Sequence, residues 1–311
     1  MELRYGILST SSIAPRFIAG VREYGKGQIV ALSSRTLEKA KEKATQWGIP
    51  TAYGSHEELL QDENVNIVYI SNVNTAHYMW AKAALLAGKH VICEKPCTTT
   101  AEQTAELYDL AEKQGLFFME AQKMLFLPAV LEAKKRLESI GKVTMVELSH
   151  SFPGSYNGWM FDKAAGGGPL LSSGIYAAQL LIWLFGDIAS IRGTASKDEN
   201  DVEWQYILTG ETKSGVLFSA KNSTRSVLDN TCRIFGEKGY LELPNYWKAQ
   251  KLIIHLGQEN QTLEYPCQYE LMYEAAHIQE CMDRGLLNSP VITKDLSCAG
   301  IRALETVKAN W

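Results

Sequence analysis

Over its first 121 residues the chain alternates between short apolar runs and amphipathic helical stretches, a rhythm that leaves few folds open. Leu3 to Leu8 reads as a strand, Ile13 to Tyr24 as a helix and Gln28 to Ser33 as a second strand. Leu37, Ala40, Ala44 and Trp47 then recur at three- and four-residue spacing, with Lys39, Lys41, Glu42 and Lys43 on the other face and Gly48 as a stop. Ser55 to Glu58 is a capping-box pattern opening a short helix, and Val65 to Ser71 is apolar enough for a strand buried on both faces. A helix from Thr75 to Ala87, a strand from His90 to Cys93, a helix opened by Thr99 and Glu102 and running through Gln114, and a strand from Leu116 to Ala121 complete this half. Parallel strands need crossover helices, so the alternation predicts a doubly wound parallel sheet.

Beyond residue 122 the rhythm changes. A helix at Pro128 to Ser139 precedes a strand at Val143 to Ser151, a glycine-rich turn and an apolar helix from Leu170 to Phe185. Ile188 to Tyr265 holds six to eight strand-like runs, among them Glu203 to Thr209, Val216 to Asn222, Thr231 to Phe235 and Leu252 to Leu256, separated by polar or glycine-containing turns. Hairpin-like spacing predicts an open, mostly antiparallel sheet, with the Leu170 helix on one face and terminal helices near Tyr269 to Arg284 and Asp295 to Ala309. The fold class is thus α/β: a Rossmann-type, doubly wound domain at 1–121 and an α+β domain with an open, mostly antiparallel sheet at 122–311. The last helix is left free to pack back on the first domain.

Charge and cysteine usage exclude several functions. Thirty-one Lys and Arg against 35 Asp and Glu give −4, which offers no basic field for nucleic acid. The longest apolar stretch, Gly174 to Gly186, is too short for ~30 Å of hydrocarbon and carries Gln179. The opening MELRYGIL has no signal-peptide pattern, and a cytoplasmic location is expected. Six cysteines without a CxxC pair and six scattered histidines without HExxH predict neither a disulfide scaffold nor a metal site.

In a doubly wound sheet the first strand-to-helix turn cradles a pyrophosphate. Here that turn is Gly6 to Ala14, and the usual G-x-G-x-x-G/A positions fall on Ser9, Ser11 and Ala14. The motif is weak by itself, although the hydroxyls of Ser9, Thr10, Ser11 and Ser12 can donate to phosphate, with Ile13 opening the helix. The second strand ends Ser33-Ser34-Arg35, with Lys39 one turn on and no acid to receive ribose hydroxyls. A carboxylate there would repel a 2′-phosphate, whereas Arg35 can pair with one; NADP is favoured over NAD, although an exposed Arg after a strand is more often simply solvated.

Glu94-Lys95-Pro96 after the fifth strand, Ile70 to His77 (ISNVNTAH), Met119 to Ala129 (MEAQKMLFLPA) and Gly166 to Tyr176 (GGGPLLSSGIY) together resemble the Gfo/Idh/MocA oxidoreductase family over essentially the whole chain. Tyr176 resembles the dimeric dihydrodiol dehydrogenase branch, which acts on trans-dihydrodiols and some sugars. The resemblance implies that Lys95 lies near the nicotinamide and hydrogen-bonds the substrate oxygen, and that Tyr176 donates the proton. It also implies that Glu94 holds Lys95 or the nicotinamide ribose, with a structural salt bridge as the plain alternative, and that Asn72, Asn74 and His77 border the nicotinamide half; a helix N-cap would equally account for Asn74 or Thr75. Tyrosines on apolar helices mostly pack into cores, so Tyr176 has that reading too.

Ser172 and Gln179 stand where the family often has Asp and Asp or His, removing carboxylates that orient sugar hydroxyls. With Trp159, Met160 and Phe161 before the triple glycine, a less polar carbonyl becomes plausible, and Trp159, Ser172, Tyr176 and Lys95 are the candidate substrate contacts. The leading expectation is an NADP(H)-dependent oxidoreductase acting on a small carbonyl or alcohol, assembled as a homodimer or higher homo-oligomer through the second-half sheet. One alternative is a non-catalytic dinucleotide-sensing regulator, toward which Ser9, Ser11 and Ser172 lean and against which Lys95 and Tyr176 lean. Another is an enzyme that holds NADP tightly and cycles between two substrates.

Overall fold

The computed structural model describes residues 1–154 and 158–311, which divide into two compact units. The first comprises 1–122 with 269–297, the second 123–268 with 298–311. Residues 269–297 therefore cluster with the first unit, although sequence order places them in the second half.

In the first unit, strands β1 (Arg4–Leu8), β2 (Gln28–Ser33), β3 (Thr51–Tyr53), β4 (Ile67–Ile70), β5 (His90–Glu94) and β6 (Phe118–Ala121) form one sheet in the order β3-β2-β1-β4-β5-β6. Every pairing is parallel. Connections run by α1 (Ala14–Tyr24), α2 (Leu37–Trp47), α3 (His56–Gln61), α4 (His77–Leu86) and α5 (Ala101–Gln114). The strand order reverses between β1 and β4, and a doubly wound sheet binds its ligand at the carboxyl ends beside such a reversal. Central strands are apolar because both faces are covered: all four residues of β4 are buried. On one face Phe17 stacks on Tyr69 at 3.8 Å with Tyr5 edge-on to Phe17, and on the other Val68, Ile70, Val91 and Cys93 pack with Ala81, Leu85 and Leu107.

Helix starts follow local chemistry. Thr36, Ser55 and Thr100 accept from the main-chain N–H groups of Lys39, Glu58 and Gln103. The cap of α5 is thus Thr100, one residue after the expected Thr99, and Glu58 Oε2 accepts from Gly54 N. The three-residue edge strand β3 was not expected.

Helices α8 (Leu271–Asp283) and the start of α9 (Lys294–Lys308) complete this unit. Close approach of α1 to α8 depends on Gly20, where an added Cβ would lie 2.7 Å from the carbonyl carbon of Leu271. Phe118 N donates to Leu287 O, and Ser297 Oγ donates to Glu120 Oε2 at 2.7 Å.

The second unit is built on an eight-stranded sheet of β7 (Val143–Ser151), β8 (Ile188–Lys197), β9 (Glu203–Thr212), β10 (Leu217–Ser223), β11 (Thr231–Gly236), β12 (Gly239–Pro244), β13 (Lys251–Leu256) and β14 (Glu259–Glu264). Its order is β14-β13-β12-β11-β7-β10-β9-β8, antiparallel except for β7 beside β10. Seven of these strands arise between Ile188 and Tyr265, as the turn spacing predicts. Helix α6 (Pro128–Arg136) packs on β12 and β13, and α7 (Ile175–Phe185) with the turn before it on β9 and β10. Alternation along the strands buries Val146, Leu208 and Phe218 and leaves Met145, Ile207 and Leu217 exposed.

Candidate active site

The first unit gathers its candidates at the carboxyl ends of β1, β2, β4 and β5. After β1, Ser9 adopts φ 110°, a conformation that favours glycine. The backbone therefore keeps the shape of the glycine motif at Ser9 although the glycine is gone. Ser11 Oγ donates to Ser71 Oγ at 2.7 Å, which commits its proton within the protein, while Thr10 and Ser12 stay at least partly exposed. No side chain caps α1 at Ile13; Ala14 N and Arg16 N donate to Ser11 O and Ile13 O and Pro15 has no N–H, so what this end offers an anion is the helix dipole. At the end of β2, Ser33 and Ser34 are buried, and Arg35 and Lys39 are exposed on the turn and first turn of α2.

Beyond β4, Asn74 lies in a short 3₁₀ turn, Asn74–Ala76, that leads into α4. Val73 precedes the turn and Ala76 the helix, and neither provides a side-chain cap. His77 is buried, with Nδ1 2.8 Å from Pro96 O and Nε2 2.9 Å from Asn72 O. Two carbonyls face one imidazole, which favours its charged form, but burial outweighs them and lowers the pKa. His77 is placed to tie the end of β4 to the turn after β5.

That turn carries Lys95, joined to Pro96 by a cis peptide. Both oxygens of Glu94 are engaged, Oε1 by the Tyr69 hydroxyl at 2.6 Å and Oε2 by the main-chain N of Lys95 at 3.2 Å. Glu120, fully buried, accepts from Cys97 N at 3.1 Å and from Ser297, and so pins the chain leaving the cis bond. Lys95 is half-buried. Loss of water lowers its pKa and Arg16 adds to the effect, while Glu94 and Glu120 oppose it. Arg16, which pairs with Glu270, was not anticipated; its position one turn into α1 is the signal that could have found it.

In the second unit the triple glycine is required by its neighbours. Gly168 has φ 102°, and a Cβ there would fall 2.2 Å from Oε1 of Glu203, the same atom that accepts from Leu170 N at 3.0 Å. Glu203, buried on β9 and with its pKa raised by that burial, thus holds the loop against the sheet. Leu170–Gly174 forms a single π-helical turn before α7, a distortion frequent at functional sites. Ser172 Oγ donates back to Gly168 O at 2.8 Å, within the turn that precedes α7.

Tyr176, in the first turn of α7, is largely buried, with its ring centroid 6.4 Å from that of His150. The His150 ring packs 3.6 Å from Trp247 and 4.0 Å from Phe152, forming an aromatic cluster. Gln179 is fully buried against Gly300 of α9, so its place is in the core. Trp159 sits half-buried in a short helical turn, Gly158–Phe161.

Comparison with known proteins follows this geometry. A model of the Gfo/Idh/MocA oxidoreductase family, NAD-binding Rossmann fold, matches residues 3–122, and one of the Gfo/Idh/MocA C-terminal domain matches 130–242. Trans-1,2-dihydrobenzene-1,2-diol dehydrogenase of Mus musculus is 33% identical over 314 residues, covering 94% of this chain and 92% of its own. The fold is also that of an aldose-aldose oxidoreductase from Caulobacter crescentus, with TM-score 0.89, 26% identity and 99% and 97% of the two chains covered. A 3-ketoreductase from Actinomadura kijaniata, solved with NADP, shares the fold at TM-score 0.91 and 22% identity, over 99% of this chain and 98% of its own. With both family models in chain order and a third of positions identical to a full-length relative, the protein belongs to the Gfo/Idh/MocA family of NAD(P)-binding oxidoreductases.

Proposed function

We propose that the protein is an NADP(H)-dependent oxidoreductase that interconverts a small carbonyl and its alcohol, the substrate being a dihydrodiol, a sugar or another small carbonyl compound. The observation that carries this is Lys95, half-buried at the end of β5 with a lowered pKa, in the unit whose α1 begins without a side-chain cap. The dinucleotide fits these residues: the Ser9 to Ile13 turn with the positive end of α1 holds the pyrophosphate, and Ser34, Arg35 and Lys39 take the 2′-phosphate. Asn72, Asn74 and His77 shape the strand end beside it, and Glu94 fixes the main chain of Lys95. When bound, the nicotinamide supplies or takes the hydride. Lys95 donates a hydrogen bond to the substrate oxygen, and Tyr176 hands over the proton. Trp159 offers apolar surface to the substrate, and Ser172 belongs to the turn that carries Tyr176.

The dihydrodiol dehydrogenase relatives support this substrate class, and the absence of a carboxylate at Ser172 favours its less polar members. We further infer a homodimer or higher homo-oligomer formed through the exposed sheet face with Met145, Ile207 and Leu217. The working compartment is the cytoplasm; among the described residues no helix is long and apolar enough to cross a membrane.

Purified protein is expected to oxidise NADPH with at least one member of a panel of aryl ketones, diketones and ketosugars, followed at the nicotinamide absorbance. Binding of NADPH without turnover on the whole panel would favour the sensing regulator. Tyr176→Phe removes only the hydroxyl and is expected to lower kcat by about 10²-fold with NADPH affinity unchanged. An unaltered kcat would leave Tyr176 as a core residue.

A further inference from the structure

Side chains from three elements meet at the carboxyl ends of β2 and β4. Ser33 Oγ, on the last residue of β2, lies 2.8 Å from Nδ1 of His56, the first residue of α3. Nε2 of that ring lies 3.2 Å from Nδ2 of Asn72, two residues past the end of β4. The imidazole is buried and sits edge-on to Trp80 at 4.7 Å. With an amide N–H directed at it, Nε2 must accept, so the ring proton is on Nδ1 and donates to Ser33. This geometry needs a neutral ring. Burial and the Arg35 charge keep it neutral, and Glu57 opposes them.

The ring therefore decides how the Asn72 carboxamide is turned. Its Nδ2 is spent on His56, and its Oδ1 is buried with no hydrogen-bond partner among the described residues. Native proteins rarely keep a buried acceptor without a donor, because the group lost its water on folding. This one stands at strand ends where a doubly wound sheet binds its ligand. It is one imidazole away from the residue that ends β2, the strand that reads the adenosine ribose.

We propose that His56 is a positioning residue for the dinucleotide: it fixes the Asn72 carboxamide so that Oδ1 accepts from an N–H or O–H donor on the adenosine half, and not on the nicotinamide half expected from the sequence. This rests on the dinucleotide reading above. His56 itself makes no contact with the cofactor; it acts through Asn72, and Ser33 holds the ring in the tautomer required.

The test is NADPH binding by the full chain, measured by nicotinamide fluorescence for wild type, Asn72→Ala, His56→Leu, His56→Gln and the Asn72→Ala/His56→Leu double variant. Asn72→Ala is expected to weaken NADPH by about 5–10-fold and His56→Leu nearly as much, with the double variant no worse than Asn72→Ala. His56→Gln places an amide oxygen where Nε2 stood and is expected to bind within about twofold of wild type. Repeating the series with the hypoxanthine analogue of NADPH, which lacks the 6-amino group, separates the two donors. If the Asn72→Ala loss disappears the donor is the 6-amino group, and if it persists the donor is a ribose hydroxyl; both outcomes support the proposal. It is overturned if Asn72→Ala and His56→Leu bind within about twofold of wild type, or if His56→Gln loses as much as His56→Leu. Asn72 is only half-buried, so its variant decides the matter should His56→Leu not fold. Wild type binding neither NADPH nor NADH would remove the dinucleotide reading itself.

Discussion

Lys95→Ala is expected to reduce kcat by about 10³-fold or more while NADPH affinity stays within about threefold of wild type. The substitution leaves the surrounding contacts in place. Glu94 stays bonded to Tyr69 and to the main-chain N of residue 95, and Glu120 still holds Cys97 N, so the turn after β5 keeps its support. What disappears is one partly desolvated ammonium, and a donor aimed at a developing alkoxide is worth far more in such a place than in water. A loss confined to KM would assign Lys95 to uniform binding instead. The pH profile supplies a second check. Burial lowers the Lys95 pKa from 10.5, so the protonated fraction falls at a lower pH than for a free lysine. Carbonyl reduction, which uses the protonated form, should therefore decline as pH rises through that lowered pKa, and alcohol oxidation should gain. Lys95→Ala should flatten this limb, measured as kcat/KM against pH with saturating cofactor.

Arg35→Ala is expected to weaken NADPH by about 10–100-fold and NADH by less than about threefold, because charge-assisted bonds to one phosphate contribute roughly 1.5–3 kcal/mol each. Arg35 and Lys39 are both exposed at the start of α2, so part of this contribution is screened, and the NADPH deficit should shrink as salt is raised. Arg35→Asp restores the acid that usually ends this strand and should carry the preference over to NADH. Isothermal titration with both cofactors at two salt concentrations measures all three effects. Equal losses for NADPH and NADH would show that Arg35 supports the turn instead of reading the 2′-phosphate.

Elements with strong periodicity were legible in the sequence. The four buried residues of β4 and the alternation along β10 reflect burial on two faces and one face, respectively. The edge strand β3 was not, because its three half-buried residues carry no pattern long enough to detect. Motifs single out Lys95 and Tyr176 as candidates, since local order in the chain suffices for that. The contacts that hold such groups are another matter. Glu120 meets Ser297 across 177 positions, and His56 meets Asn72 across 16, each pair brought together by separate elements that no local pattern links. Ser9 is a subtler case: the residue type argues against the glycine motif, while the sheet imposes the glycine-like φ regardless. Gln179, which stands where the family often has Asp or His, is fully buried against Gly300.

The first unit draws on both ends of the sequence, and this governs how it can be made. Gly20 waits for the backbone of Leu271, and Glu120 waits for the hydroxyl of Ser297. At synthesis rates of ~5–20 residues per second, the ribosome needs ~9–35 s after residue 122 before residue 297 is even polymerised. Through that interval the nascent sheet carries α1 without its partner helix and a carboxylate without one of its donors. The unit whose synthesis begins first thus has its native structure completed only near the end of translation.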